Sequence, residues 1–228
     1  MNPDTGTRRL RVWDLPTRIF HWTLALTLVA SVVTAKIGGN AMVWHMRLGL
    51  VALALLLFRV AWGFVGGHWS RFASFLYPPR SVLAYLRGDS GPGGRFDVGH
   101  SPLGALSVFA LLALLVAQVA TGLVADDEIA TTGPLNRFVG SAMALRASAW
   151  HASWGQYLII ALVVLHVGAV MYYLHAKQRD LITPMWRGDK ELAVDLPASQ
   201  DGVHHRLLAL VLMAAALLVS LWISRLGG

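Results

Sequence analysis

The chain has 228 residues, of which 56% are apolar and only 14% are charged. A water-soluble domain of this length would carry about a quarter charged residues, so the composition excludes that class and indicates an integral membrane protein. The formal net charge of +7 suits anionic lipid headgroups better than a nucleic acid, and no nucleic-acid partner is expected.

Long apolar segments recur along the chain, and each is close to the roughly 20 residues that cross a bilayer core. The first is expected to be a retained span and not a cleaved signal peptide, because its apolar core is long and no small-x-small site follows it. The predicted spans are residues 17–37, 41–65, 102–125, 148–173 and 205–222. The sequence therefore predicts an all-α membrane protein with five transmembrane helices.

The basic residues predict the orientation of these spans. Arginine and lysine concentrate in the tail before the first span and in the connections that follow the second and fourth spans. The opposite side has few basic residues and carries the acidic run Asp126–Glu128. Because cytoplasmic loops are the basic ones, we expect a cytoplasmic N-terminus and, after five spans, a periplasmic C-terminus.

Two connecting loops have predicted structure of their own. On the cytoplasmic side, a short surface helix is expected after the Tyr77–Arg80 turn. On the outer side, a short helix around Leu135–Leu145 is expected to cap the membrane end, where an electron donor could dock or where it could act as a simple amphipathic lid.

The chain contains no cysteine. This excludes iron–sulfur clusters, disulfides, thiolate zinc sites and the Cys-x-x-Cys-His attachment of covalent haem. The spans contain almost no carboxylates, so histidine is the main candidate ligand for any metal centre.

Four histidines fall inside the predicted spans, at two depths. His21 and His166 lie in the cytoplasmic half, whereas His45 and His151 lie about one turn inside the outer boundary. His151 and His166 are 15 residues apart, which on an ideal helix is about 22 Å of rise and about 60° of rotation, so both side chains leave one broad face.

These depths predict two pairs, His21 with His166 in the inner half and His45 with His151 in the outer half. Two histidines from different helices supply the two axial nitrogens of a bis-imidazole haem, and two stacked haems would make an electron path across the membrane. Zinc or copper is the competing interpretation, but two imidazoles without cysteine or carboxylate leave such an ion short of ligands.

Arginines are the expected anchors for haem propionates. Arg59 follows His45 by 14 residues, which places it about 21 Å deeper and within about 40° of the same helix face, at the level of the inner haem. Arg18, Arg47 and Arg71 lie near the span boundaries, where propionate binding and simple snorkelling to the interface are both consistent with the sequence.

Several motifs, taken in order, resemble the bacterial cytochrome b561 family, which includes the di-haem cytochrome b subunit of nickel-iron hydrogenases. The similarity runs from about Arg11 to Lys190. Its motifs are WDLPTRIFHW at Trp13–Trp22, WHMRLG at Trp44–Gly49, FRVAWGF at Phe58–Phe64, GHSPLGA at Gly99–Ala105, and the two pairs Trp150–His151 and Leu165–His166.

The resemblance implies a four-helix transmembrane bundle over residues 1–190 that holds two non-covalent b haems. The family's ligand positions carry over onto His21, His45, His151 and His166, the same four histidines that depth selects. Residues 191–228 would add a cytoplasmic linker and a fifth helix. The resemblance also implies that electrons pass between a periplasmic redox partner, such as a c-type cytochrome or a hydrogenase-like protein, and the quinone pool of a respiratory chain in the bacterial inner membrane.

Three function classes stay open at this stage. The preferred one is an electron-transfer subunit, not a stand-alone enzyme. A superoxide:quinone oxidoreductase would need an open cationic outer pocket, to which Lys36, Arg47 and Arg146 could contribute, although the acidic run nearby weakens that field. A histidine-based metal or proton transporter would show no haem spectrum.

The five other histidines lie at or beyond the cytoplasmic ends of the spans, where an imidazole meets water at little cost. Most are expected to be solvated, and His175 is also a candidate contact for a quinone headgroup. They are His68, His100, His175, His204 and His205.

Overall fold

The computed structural model describes residues 8–89, 91, 94, 96, 98–129, 131–192 and 196–227. These residues form helices and one two-stranded sheet. The helices are α1 (Leu15–Ile37), α2 (Met42–Val65), α3 (Pro79–Leu86), α4 (Pro102–Val124), α5 (Ser141–Ala149), α6 (Gly155–His175), α7 (Ile182–Arg187) and α8 (Val203–Arg225), and the strands are β1 (Arg8–Arg11) and β2 (Asp189–Leu192).

Five helical stretches among these residues are long and apolar enough to cross a membrane, and this confirms the predicted all-α membrane class. They are α1, α2 with its preceding turn, α4, the stretch Ser141–His175 that contains α5 and α6, and α8. Protein buries only 6% to 44% of the residues in their most apolar windows. So many exposed leucine and valine side chains are compatible with surrounding lipid and not with water.

Contacts divide the chain into two compact units. The first comprises Met1–Ile19, Ala61–Phe109 and His166–Ala209, and the second comprises Phe20–Val60, Ala110–Leu165 and Leu210–Gly228. The predicted boundary near residue 190 divides the sequence once, into a haem domain and a C-terminal extension, whereas each compact unit contains three separate ranges. The predicted boundary stays a prediction.

In the first unit, a buried carboxylate organises the start of α1. Asp14 is 0% exposed, and its side chain accepts a hydrogen bond from the Thr17 backbone N–H at 2.8 Å, as an N-cap residue does. It also accepts from Trp62 Nε1 at 3.1 Å and from Ser70 Oγ at 2.5 Å. Thr17 Oγ1 in turn donates to Ser70 Oγ at 2.7 Å, so the polar cluster is closed on itself.

The segment before α8, predicted as a plain linker, is bonded to the N-terminal segment through Ser199; residues 193–195 lie outside the described residues. Ser199 donates from Oγ to the Val12 carbonyl at 2.6 Å and from its backbone N–H to the Arg11 carbonyl at 2.7 Å. Trp69 Nε1 donates to the Pro197 carbonyl at 2.8 Å. Ser199 is buried, and the half-buried Leu196 packs against the hydrophobic cluster of Leu10, Val12, Trp13, Trp69 and Val98, so this segment is fixed to the first unit.

An ion-pair network ties the start of α8 to the start of α1. Asp201 accepts from Arg11 Nη1 and from Arg206 Nε, each at 3.1 Å, and from the Leu15 backbone N–H at 3.1 Å. Arg11 also contacts Asp189 at 2.8 Å, beside the antiparallel pairing of β1 with β2. The N-terminal tail and the connection after α6 are thereby joined at one end of the helices.

In the second unit, α8 packs on α2 through a small polar side chain. Ser220 is 3% exposed, and its hydroxyl donates to the Leu50 carbonyl at 2.7 Å. Hydroxyls that bond carbonyls across helices are a common means of association inside a membrane. The fifth helix is therefore integrated into the fold and is not a loose appendage.

The short helix predicted around Leu135–Leu145 is confirmed only in its second half, from Ser141. A 3₁₀ turn occupies Asn136–Phe138, and α5 begins only at Ser141 and continues into the span. The loop before it is used to cap α4: the Gly133 N–H donates to the Ala125 carbonyl at 2.8 Å, and Asn136 Nδ2 donates to the Val124 carbonyl at 3.0 Å. Those bonds satisfy the exposed carbonyls at the end of α4 and hold this loop out of a regular helix.

The replacement Asp14→Ala should destabilise the protein by about 3 kcal/mol, because it leaves three buried donors without their acceptor. The midpoint of thermal unfolding in detergent micelles measures this. The control is Glu191→Ala, whose side chain is 63% exposed and pairs with the exposed Arg9; it should change the midpoint little. Equal shifts in the two variants would contradict the role given to Asp14.

Candidate functional site

Two of the predicted site residues lie side by side in the second unit. His45 is in the first turn of α2, and His151 is in the π-helical segment Trp150–Trp154 that links α5 to α6. Their ring centroids are 5.8 Å apart and their planes are nearly perpendicular, at 83°. Both side chains are half-buried. The structure thus brings together the two histidines predicted as the outer pair.

Backbone carbonyls hold both imidazole rings in the same tautomer. His45 Nδ1 lies 2.9 Å from the Ser31 carbonyl oxygen, and His151 Nδ1 lies 2.8 Å from the Gln118 carbonyl oxygen. Because a carbonyl can only accept, Nδ1 is the donor in each ring and Nε2 keeps its lone pair in the neutral imidazole. Metal-ligating histidines have this arrangement, so the pair fits the axial ligand set of a b haem.

Helix α4 supports His151 a second time through a side chain. Gln118 Nε2 donates to the His151 carbonyl at 2.8 Å, so the two residues exchange two hydrogen bonds. The turn around His151 is wider than in an α-helix, since the Gly155 N–H bonds to the carbonyl of Trp150, five residues back. Such π turns are frequent at functional sites.

A glycine of α4 leaves the space that the His151 ring fills. A Cβ atom built on Gly122 would lie 2.7 Å from His151 Cε1, closer than real Cβ contacts. Sequence reasoning missed both Gly122 and Gln118, because it considered only histidines and arginines as haem contacts. One signal was available: Gln118 is the single amide side chain of α4.

The predicted inner pair falls in different units. His21 belongs to the second unit and His166 to the first, and both side chains are half-buried. Their pairing stays a prediction. Arg59, the proposed propionate anchor, is 3% exposed within α2. A buried guanidinium in an apolar helix is costly unless an anion or hydrogen bonds compensate its charge. The burial of Arg59 is therefore compatible with a propionate contact, which stays a prediction.

The three boundary arginines all have protein contacts. Arg18 Nη1 donates to the Trp186 carbonyl at 2.5 Å. The Arg47 guanidinium lies 4.9 Å from the ring centroid of Trp44. Arg71 Nη2 lies 3.3 Å from His68 Nδ1. Contact with a haem propionate stays a prediction for each of them.

Most of the five histidines outside the two pairs are expected to be solvated, but three of them, His68, His205 and His100, are half-buried. His100 lies among aromatic rings. Its ring is half-buried between Trp13 and Phe75, with centroid separations of 4.7 and 4.4 Å. The Tyr77 hydroxyl donates to its backbone carbonyl at 3.0 Å, which holds this turn in the aromatic cluster. His175 and His204, in contrast, are exposed as expected.

Within the described part of the chain, no group of three or more histidine, cysteine or acidic side chains is placed to hold a metal ion. The site formed by His45 and His151 therefore offers two imidazoles and no carboxylate. The metal-transporter interpretation gains no support from this arrangement.

Comparison with known proteins gives one family. Residues 12–188 match the family model described as prokaryotic cytochrome b561. The chain is 26% identical over 193 residues to the "Probable Ni/Fe-hydrogenase 1 B-type cytochrome subunit" of Escherichia coli (strain K12), a match that covers 68% of this chain and 80% of that protein.

Two further relatives are named "Probable Ni/Fe-hydrogenase B-type cytochrome subunit". The protein of Bradyrhizobium diazoefficiens is 24% identical over 221 residues, with 82% of this chain and 87% of the relative covered. That of Azotobacter chroococcum mcd 1 is 28% identical over 225 residues, with 82% and 90% covered. No solved structure gives a significant match. Since the family model covers most of the chain, and five apolar helices and a paired-histidine site accompany it, this protein belongs to the prokaryotic cytochrome b561 family of membrane b-type cytochromes, which bind haem b and transfer electrons.

Proposed function

We propose that the protein is a di-haem electron-transfer subunit of the bacterial inner membrane that links a periplasmic redox protein to the quinone pool. The observation that carries this proposal is the contact between His45 and His151, with Nδ1 of each ring held by a backbone carbonyl. A bound haem supplies one-electron exchange between ferric and ferrous iron. The backbone carbonyls of Ser31 and Gln118 hold the two imidazoles that would bind it.

The second haem is proposed to bind between His21 and His166. Sequence spacing supports this, since one span carries both His151 and His166, and the buried Arg59 follows His45 by 14 residues on α2. A cation at that depth would compensate the propionate carboxylates of an inner haem. The family resemblance assigns the same four histidines.

A hydrogenase-like protein is the proposed partner on the periplasmic side. The relatives from Escherichia coli, Bradyrhizobium and Azotobacter are all named as Ni/Fe-hydrogenase cytochrome subunits, which supports this choice. The distribution of basic residues supports an orientation with the N-terminus in the cytoplasm and the C-terminus in the periplasm. In that orientation the His45–His151 site lies near the partner.

The purified protein should contain two b haems per chain, measured by haem extraction and by an anaerobic reduced-minus-oxidised visible spectrum. His45→Ala and His151→Ala should each lose one haem and keep the other, because the two histidines would hold the same haem. The exposed His175 provides the control, and His175→Ala should keep both. A single haem in the wild type, or two in the His151 variant, would contradict the proposal.

The variant Gly122→Ala should lower the occupancy of the outer haem, because the added methyl group would displace the His151 ring. The matched control is Gly168→Ala in α6, where an added Cβ meets no atom within 4 Å. Haem content per chain is the measurement. If the two glycine variants retained the same haem content, close packing at Gly122 would not be needed for binding.

Gln118→Leu should keep the fold but alter the outer haem, since the carbonyl of His151 loses its side-chain donor. A redox titration followed by visible spectroscopy should show a shifted midpoint potential for one haem and an unchanged potential for the other. Equal shifts of both haems would indicate a general effect on packing.

The quinone link can be tested separately from haem content. A quinol analogue such as duroquinol, added anaerobically to the oxidised protein, should reduce its haem. If dithionite reduced the haems but the quinol did not, the electron-transfer assignment would stand and the quinone assignment would fail.

A further inference from the structure

The short helix α3 exposes an apolar face at a membrane end of the protein. None of its residues is buried, and Leu83 and Leu86 are 50% and 62% exposed. Leu76, just before the helix, is 71% exposed. Because α3 lies between the spans α2 and α4, it emerges where α2 ends and α4 begins. An amphipathic helix in such a position lies in the plane of the interface, with its apolar side toward the acyl chains.

Two arginines form a basic edge beside this apolar face. Arg80 and Arg87 are both exposed and are seven residues apart. On a helix this spacing places them about 20° apart in angle and about 10 Å apart along the axis. Both lie about 100° to one side of the centre of the apolar stripe made by Pro79, Val82, Leu83 and Leu86.

A cleft of about 330 Å³ opens between α3 and α4. Its lining is almost entirely hydrocarbon, and the residues are Tyr77, Pro79, Val82, Leu83, Leu86 and Leu106. The one hydroxyl among them, on Tyr77, donates to the His100 carbonyl at 3.0 Å. The cleft therefore suits an acyl chain better than a quinone headgroup, whose carbonyls need hydrogen-bond donors.

We propose that this cleft holds an acyl chain of an anionic phospholipid, with the lipid phosphate against Arg80 and Arg87. A zwitterionic headgroup carries an ammonium group that the two guanidinium groups would repel, so charge complementarity selects the anionic lipid. The site lies wholly within the first unit and does not depend on the haem ligands or on the redox partner.

The test uses the full chain, purified in a mild detergent and incubated with equal amounts of phosphatidylglycerol and phosphatidylcholine. Native mass spectrometry then counts the lipids retained. The wild type should retain phosphatidylglycerol preferentially, and Arg80→Gln/Arg87→Gln should lower that retention about tenfold, since each arginine near an anionic headgroup contributes to binding. A Val82→Trp variant, which fills the cleft but keeps both arginines, should also lower it.

The control is Arg137→Gln/Arg146→Gln, which removes the same charge from two exposed arginines of the second unit and should retain lipid as the wild type does. The visible spectrum and the thermal midpoint report whether each variant is folded. Equal retention in the Arg80/Arg87 variant and the wild type would overturn the proposal. Equal retention of both lipids by the wild type would overturn it too, as would retention of phosphatidylglycerol by Val82→Trp at the level of the wild type.

Discussion

A polar side chain that leaves water inside an apolar helical protein must find its hydrogen bonds within the protein, and this constraint shapes the whole molecule. At one site the constraint fixes two imidazole rings, since His45 and His151 each bond a backbone carbonyl through Nδ1. At another it closes the Asp14 cluster, in which a fully buried carboxylate accepts from a backbone N–H, an indole and a hydroxyl. The first arrangement orients ligands, and the second anchors the start of a span.

The sequence was sufficient for the features that depend on composition and length. Five apolar runs of about the right length gave the class of fold, and the rarity of histidine inside them made His45 and His151 visible as a pair. Neither inference required knowledge of which helices touch. The paired depths of the two residues followed from their positions relative to the span ends.

The features that escaped prediction depend on tertiary contacts. The acceptors for the two histidines are the main-chain carbonyls of Ser31 and Gln118, and a carbonyl is present at every position of every sequence. Gly122 matters only because the His151 ring is opposite it. His100 has the sequence context of an interfacial residue, yet Trp13 and Phe75, distant in sequence, enclose its ring. The segment 196–199 likewise has no sequence pattern that predicts its hydrogen bonds to Val12 and Trp69.

The π-helical turn at Trp150–Trp154 acts as a one-residue phase shift within a continuous helix. An extra residue in one turn rotates everything on one side of it by about 100° relative to the other side. The buried alanines of α5, Ala144 and Ala147, are therefore set in angle independently of the buried Gly155 and Ile159 of α6. A single-residue deletion within this turn would restore a regular α-helix and swing α5 by roughly a quarter of a circle. At this turn the number of residues is itself part of the geometry that presents His151.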